Sequence, residues 1–207
     1  IAKEVSGHLP PSFRLHDLGE HRFRDLSPQR VFQVFAPGLS EEPSRLRGLA
    51  QHRHNLPPQP TAFIGREADV RRVQTALADP AIRVLSLIGP GGIGKTRLAL
   101  ATAAGTIEAF ADGIWFVPLA TIDDPELVAP AIARVFGVRE SVDRSLLDAI
   151  IDHLAERALL LVLDNLEQVL DAGPAIATLI AGCPRVTLLA TSRTPLGIAG
   201  EQIVPVP

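Results

Sequence analysis

The sequence predicts an α/β fold, a parallel sheet flanked by helices, on three observations. From residue 61 onward, short apolar runs alternate with stretches of helical periodicity. That is the order of parallel strands joined by crossover helices. One run, residues 159–163, is apolar at every position, as a strand buried on both faces must be. A glycine-rich segment at 89–94 joins an apolar run to an Ala/Leu-rich one, so a tight loop links strand to helix.

The elements follow in order. Residues 84–88 form the first strand of the sheet, and a helix runs from Lys95 to about Phe110. Residues 114–119 are a strand, while 125–136 and 145–156 carry helical periodicity. The strand at 159–163 leads into a helix from Leu166 to about Ala181, and strands at 186–190 and 202–206 complete the set.

The first 60 residues have another character. In 1–37, strand-like runs at 13–18 and 22–26 flank Gly19-Glu20, and 31–35 follows Ser27-Pro28. Their alternation predicts a β-hairpin or small antiparallel sheet. It is too small to bury a core alone, so it reads as the edge of a domain lying upstream. Residues 38–60 read as a linker broken by Pro43, Pro57, Pro58 and Pro60. His52 and His54 are taken as solvated linker residues, because no cysteine or further ligand has metal-site spacing.

Composition bounds the function. Of 207 residues 46% are hydrophobic, enough for a packed core. No apolar run approaches the roughly 20 residues that cross a bilayer, and no signal segment opens the chain, so a cytoplasmic setting is expected. The single Cys183 excludes an internal disulfide and reads as a small buried residue. The net charge is −3. Residues 1–60 carry 8 Lys/Arg against 6 Asp/Glu, and the remainder 12 against 17, so neither part has the basic surplus of a nucleic-acid binder. DNA contact is expected only through domains outside this chain. The start at Ile1, the lack of methionine and the end at Pro207 in a strand-like run suggest a piece of a longer protein. Only Lys3 and Lys95 are lysine, against 18 arginines. With abundant Ala, Pro and Gly this is the bias of a GC-rich bacterial genome. It makes Lys95 conspicuous, as a position needing a compact ammonium.

Lys95 completes the one motif that carries chemistry. Gly89-Pro90-Gly91-Gly92-Ile93-Gly94-Lys95-Thr96 fits the phosphate-loop pattern without a gap. Backbone N–H groups of such a loop converge on phosphates, and the following helix adds its positive end. Lys95 is expected to reach the β- and γ-phosphates and the Thr96 hydroxyl to ligate Mg²⁺; Arg97, next in line, joins the nucleotide-binding set. The expected ligand is ATP or ADP with Mg²⁺. Asp164 ends the apolar strand 159–163, where it should lie beside Thr96 and hold the metal directly or through water.

Three further residues complete the candidate catalytic set. Asn165 stands where many hydrolytic phosphate-loop enzymes carry an acid, and it orients water without accepting a proton. Glu167 either compensates or is simply an acid in a first helical turn. Slow hydrolysis follows from this pattern. Arg193, after the strand 186–190, is either a sensor of the γ-phosphate or a salt-bridged surface arginine.

Together these features resemble the STAND class of signal-transducing ATPases, which includes the NB-ARC proteins. The resemblance covers 61–207: Phe63-Ile64-Gly65-Arg66-Glu67 looks like the family's entry motif, 89–96 its phosphate loop, 160–167 its Walker B segment and Thr191-Ser192-Arg193 its sensor motif. It implies a five-stranded nucleotide domain, with Gly65 and Arg66 beside the adenine and ribose, and lid domains that would follow Pro207. It also implies a switch, closed with ADP and opened by ATP for self-association or signalling. Residues 9–37, through 18–26 and Val31-Phe32-Gln33-Val34, resemble the C-terminal tail of a class III nucleotide cyclase domain, whose catalytic residues would lie upstream. The implied parent is a multidomain bacterial regulator; LuxR-type regulators of this kind carry a DNA-binding end. Two alternatives to the switch stand open, an ADP-holding scaffold without turnover and a kinase built on the same loop.

Overall fold

The computed structural model describes residues 14–21, 29–36, 54–59, 61, 63–140 and 143–207. The chain divides into two units, Ile1–Gln51 and His52–Pro207.

In the first unit, β1 (Arg14–His21) pairs antiparallel with β2 (Gln29–Phe35). Gly19-Glu20 therefore does not separate two strands, as the sequence suggested. Both residues lie within β1, and the register slips between Asp17 and Gly19, so that Leu18 is the extra residue of a bulge. The second predicted run, 22–26, lies outside the described residues. Arg30 Nη2 meets Asp17 Oδ2 across the ladder at 2.6 Å, an exposed pair of small energetic weight.

The second unit is built on five parallel strands: β3 (Val84–Ile88), β4 (Ile114–Pro118), β5 (Leu159–Asp164), β6 (Val186–Ser192) and β7 (Glu201–Pro205). Their order is β4-β5-β6-β3-β7. Strand β5 explains its own apolar run. Leu159, Leu161 and Leu163 face a core shared with α3 (Val128–Phe136), α4 (Leu146–Leu154) and α5 (Gly173–Gly182). Leu160 and Val162 face the opposite core, with α1 (Glu67–Leu77) and α2 (Lys95–Gly105). A strand sandwiched between two helical layers has no solvent side, and each of its large side chains contributes about 2 kcal/mol by burial.

Two helices are shorter than their periodicity suggests. The stretch expected as one helix from Leu166 folds as two 3-10 turns, Leu166–Gln168 and Leu170–Ala172, before α5 begins at Gly173. Pro174 lies in the first turn of α5, where its missing N–H costs nothing, whereas inside a longer helix it would clash with the preceding turn. Helix α2 stops at Gly105, and a 3-10 turn, Ile107–Ala109, carries the chain toward Phe110.

The expected linker also needs revision at its end. His54 forms a parallel bridge to Ile114. Asn55 brackets Phe116 on both sides: its Nδ2 donates to the Phe116 carbonyl at 2.8 Å, and the Phe116 N–H donates to its Oδ1 at 2.6 Å. Leu56 packs on the α1/α2 core. Because β4 stands at the edge of the described strands, the Asn55 side-chain amide here takes the place of a neighbouring strand's peptide beyond the His54 bridge. His54 is exposed but belongs to the sheet, and His52 lies outside the described residues. Asn55→Ala is expected to destabilise the unit by about 1–2 kcal/mol, seen as a lower urea midpoint at unchanged slope. An unchanged midpoint would show that the bracket is dispensable.

Candidate phosphate-binding site

The carboxyl ends of β3, β6 and β5 stand side by side, and their loops form one cleft of about 270 Å³. After Ile88 the chain enters the loop 89–94, with φ of 80° at Gly92 and 93° at Gly94; only glycine adopts these angles cheaply. A side chain at Gly89 would come within 2.7 Å of the Val206 carbonyl, so the loop's first residue is set by close approach to the chain after β7.

Helix α2 starts on Gly94 with no capping side chain and no acid in its first turn. Its first N–H groups and positive end therefore carry no anionic partner from the helix itself. The Lys95 side chain, 8% exposed, folds into the loop, where Nζ donates to the carbonyls of Gly89 at 2.7 Å and Pro90 at 3.0 Å. These donors fit an anion, and a polyphosphate in particular.

Across the cleft, Asp164 Oδ1 accepts two hydroxyl bonds, from Thr96 Oγ1 at 2.7 Å and from Thr191 Oγ1 at 2.6 Å. Thr191 in turn accepts the N–H of Asn165 at 2.9 Å. Asn165 has φ 67° and is the one described non-glycine residue in the left-handed region, so this bond helps to hold a conformation that L residues resist. Thr191 was missed as a site residue, although its neighbour Arg193 was not. The available signal was a polar residue at the carboxyl end of an otherwise apolar strand, where site groups collect in such sheets.

Glu167 and Arg193 face each other over the loop. Arg193 Nε donates to Glu167 Oε1 at 3.1 Å, and a side chain on Gly91 would meet Arg193 Nη2 at 3.3 Å. Arg193 is thus salt-bridged, as one sequence reading had it, but inside the cleft.

Most of the anticipated residues converge. Gly91, Gly92, Gly94, Lys95, Thr96, Arg97, Asn165, Glu167 and Arg193 line the cleft, and Asp164 joins through Thr96. Gly89 and Pro90 contribute carbonyls to Lys95, and Ile93 one to Arg66 at 3.5 Å. Gly65 and Arg66 stand outside the cleft lining. Arg66 is paired to Asp69 at 2.9 Å and donates to the Pro207 carbonyl at 2.7 Å. The Gly65 N–H donates to the Glu67 carboxylate, and backbone N–H groups of Glu67 and Gly65 hold that carboxyl below its usual range. Arg97 lies 5.2 Å over the Phe63 ring and donates to Thr61. Cys183 is fully buried, and burial pushes its thiol up, away from reactivity.

No protein-family model matches the chain. An uncharacterized protein of Mycobacterium tuberculosis is 35% identical over 166 residues, which are 80% of this chain and 42% of that protein. A putative HTH-type transcriptional regulator of the same organism is 43% identical over 120 residues, 58% of this chain and 13% of the regulator. The chain thus spans less than half the length of these relatives. Among solved structures, Cdc6p from Pyrobaculum aerophilum superposes with a TM-score of 0.51 at 19% identity, covering 71% of this chain and 46% of that one. The Aeropyrum pernix ORC2 protein does so at 0.50 and 18%, covering 70% and 49%. The chain carries the P-loop NTPase type of α/β fold. In that fold the strand β6, inserted between the P-loop strand β3 and the Asp164 strand β5, is what brings Thr191 and Arg193 into the site. Among the described residues, no helix is long and apolar enough to cross a membrane.

Proposed function

We propose that residues 52–207 are an adenine-nucleotide-binding switch of the STAND type, within a larger cytoplasmic bacterial regulator. The observation that carries this reading is the meeting, in one cleft, of the Lys95 ammonium, the uncapped start of α2 and the hydroxyl–carboxylate pair Thr96–Asp164. Support comes from the putative HTH-type regulator that shares 43% identity over 120 residues, and from the ORC2 structure, whose complexes are with ADPNP and ADP.

In this reading the loop amides and Lys95 bind the phosphates. Lys95 exchanges its bonds to the Gly89 and Pro90 carbonyls for phosphate oxygens, a stronger charge-assisted pairing. Thr96 and Asp164 are the residues that would hold Mg²⁺, and one carboxylate with one hydroxyl suits a cation that keeps water and phosphate as its other ligands. When bound, the metal neutralises phosphate charge. Gly65, Arg66 and Arg97 with Phe63 form the rim toward which the nucleoside would lie. Hydrolysis is slow, because Asn165 has no proton-accepting group and the Glu167 carboxylate is engaged by Arg193. That engagement also favours the second reading, a scaffold that holds ADP without turnover. Nucleotide-dependent self-association, and DNA contact through other domains, are the proposed outputs. For the N-terminal unit, the reading as a cyclase-like tail rests on the sequence pattern of 18–26 and 31–34.

Calorimetry of the full-length protein tests the proposal, with saturable uptake of ATP and ADP expected and no uptake at millimolar nucleotide overturning it. Phosphate release then separates switch from scaffold. Arg193→Ala is expected to weaken ATP by about tenfold while sparing ADP; equal losses for both nucleotides would remove Arg193 as a sensor.

A further inference from the structure

We propose that Glu167 sets how strongly the cleft prefers a nucleoside triphosphate over a diphosphate, by competing with the terminal phosphoryl group for Arg193. This rests on the nucleotide-binding reading above and deepens it.

The two partners differ in freedom. Glu167 is 11% exposed, and its Oε2 is buried without a hydrogen-bond partner. Among the described residues its carboxylate receives one bond, from Arg193 Nε to Oε1. A largely covered carboxylate with so little satisfaction favours keeping its cation, since losing that bond leaves the charge without a partner among the described residues. Arg193 is 63% exposed and reaches across the loop to Gly91. Its planar guanidinium has five donors, of which Glu167 takes one. Arg193 is the exposed member and Glu167 the anchor.

A ligand seated on Lys95 and the start of α2 extends toward this pair. A third phosphoryl group brings a second anion to Arg193 and places it near the Glu167 carboxylate. The guanidinium then shares its charge between the two anions or leaves Glu167 unpaired, and either outcome reduces what Arg193 would otherwise contribute to triphosphate binding. A diphosphate ends one phosphoryl group earlier and leaves the pair intact. Glu167 therefore lowers triphosphate affinity selectively, and the turn Leu166–Gln168, on which it sits next to Asn165, is the part of the chain that registers the exchange.

The test compares the affinities of a non-hydrolysable ATP analogue and of ADP, both with Mg²⁺, in the full-length protein. Glu167→Gln keeps the shape and removes the charge. It should strengthen the triphosphate analogue roughly threefold to fivefold, the scale of an exposed ion pair, and leave ADP unchanged. The ADP affinity reports independently that the cleft is folded; Glu167→Met, uncharged and of similar length, repeats the test if the amide misfits. In an Arg193→Ala background, Glu167→Gln should no longer shift the ratio. An unchanged ratio in the single variant overturns the proposal. So does a gain that persists without Arg193, which would be plain charge repulsion. If the unmodified protein takes up neither nucleotide, the nucleotide-binding reading falls as well; if it takes up both and the ratio does not move, only the role of Glu167 falls.

Discussion

Lys95→Ala is expected to abolish measurable nucleotide binding at micromolar ligand while leaving a folded protein. Among the described residues that line the cleft, Lys95 supplies the one ammonium, and it is 8% exposed. Removing one partner of a desolvated charge pair costs about 2–5 kcal/mol, or roughly 30-fold to several thousandfold in affinity. The free protein loses only two bonds, to the Gly89 and Pro90 carbonyls. Pro90 is exposed and Gly89 partly so, so water can replace the ammonium there and the stability change is about 1 kcal/mol. Lys95→Arg is expected to fail as well, because a planar guanidinium does not fit where a compact ammonium bonds two carbonyls of one tight loop. Calorimetry and thermal unfolding, run on the same samples, separate the two effects. Binding within twofold of the unmodified protein would remove Lys95 from the site.

Asp164→Ala is expected to act on stability and on metal dependence together. Thr191 is fully buried, and its hydroxyl donates to Asp164 while accepting the Asn165 N–H. Deleting the acceptor leaves a buried donor unpaired, at about 1–3 kcal/mol, which lowers Tm by roughly 2–12 °C. Thr96 is partly exposed and can turn to water. Asp164→Asn keeps an acceptor oxygen for both hydroxyls but loses the charge, so its Tm should stay close to that of the unmodified protein. Both variants should lose the difference in ATP affinity between excess Mg²⁺ and excess chelator. If Asp164→Asn retained that difference, the metal role would pass to another group. If Asp164→Ala left Tm unchanged, the Thr191 bond would have no structural weight.

Much of the molecule is determined by the sequence alone. Local pattern suffices for the strands and the P-loop: an unbroken apolar run on β5, a gapless glycine loop between a strand and a helix, and Asp164 at a strand end. These are properties of neighbouring residues, and nearby side chains and backbone angles enforce them wherever the segment lies in space. The same logic misplaced several features, two of them plainly. Helical periodicity across 166–181 concealed a start delayed to Gly173, and Gly19-Glu20 looked like a turn but sits in a bulged strand.

The tertiary structure alone decided which distant groups meet. Asn55 and Phe116 are 61 residues apart, and their bond exists because β4 stands at the edge of the described strands. Thr191 lies between Asp164 and Asn165, and Arg193 reaches Glu167, because β6 is inserted between β3 and β5. Strand order is settled by the packing of two helical layers on a twisted sheet, a sum of many apolar contacts that no single segment encodes. The chain's pattern therefore names the residues that line the cleft, while the sheet's order assigns them their partners.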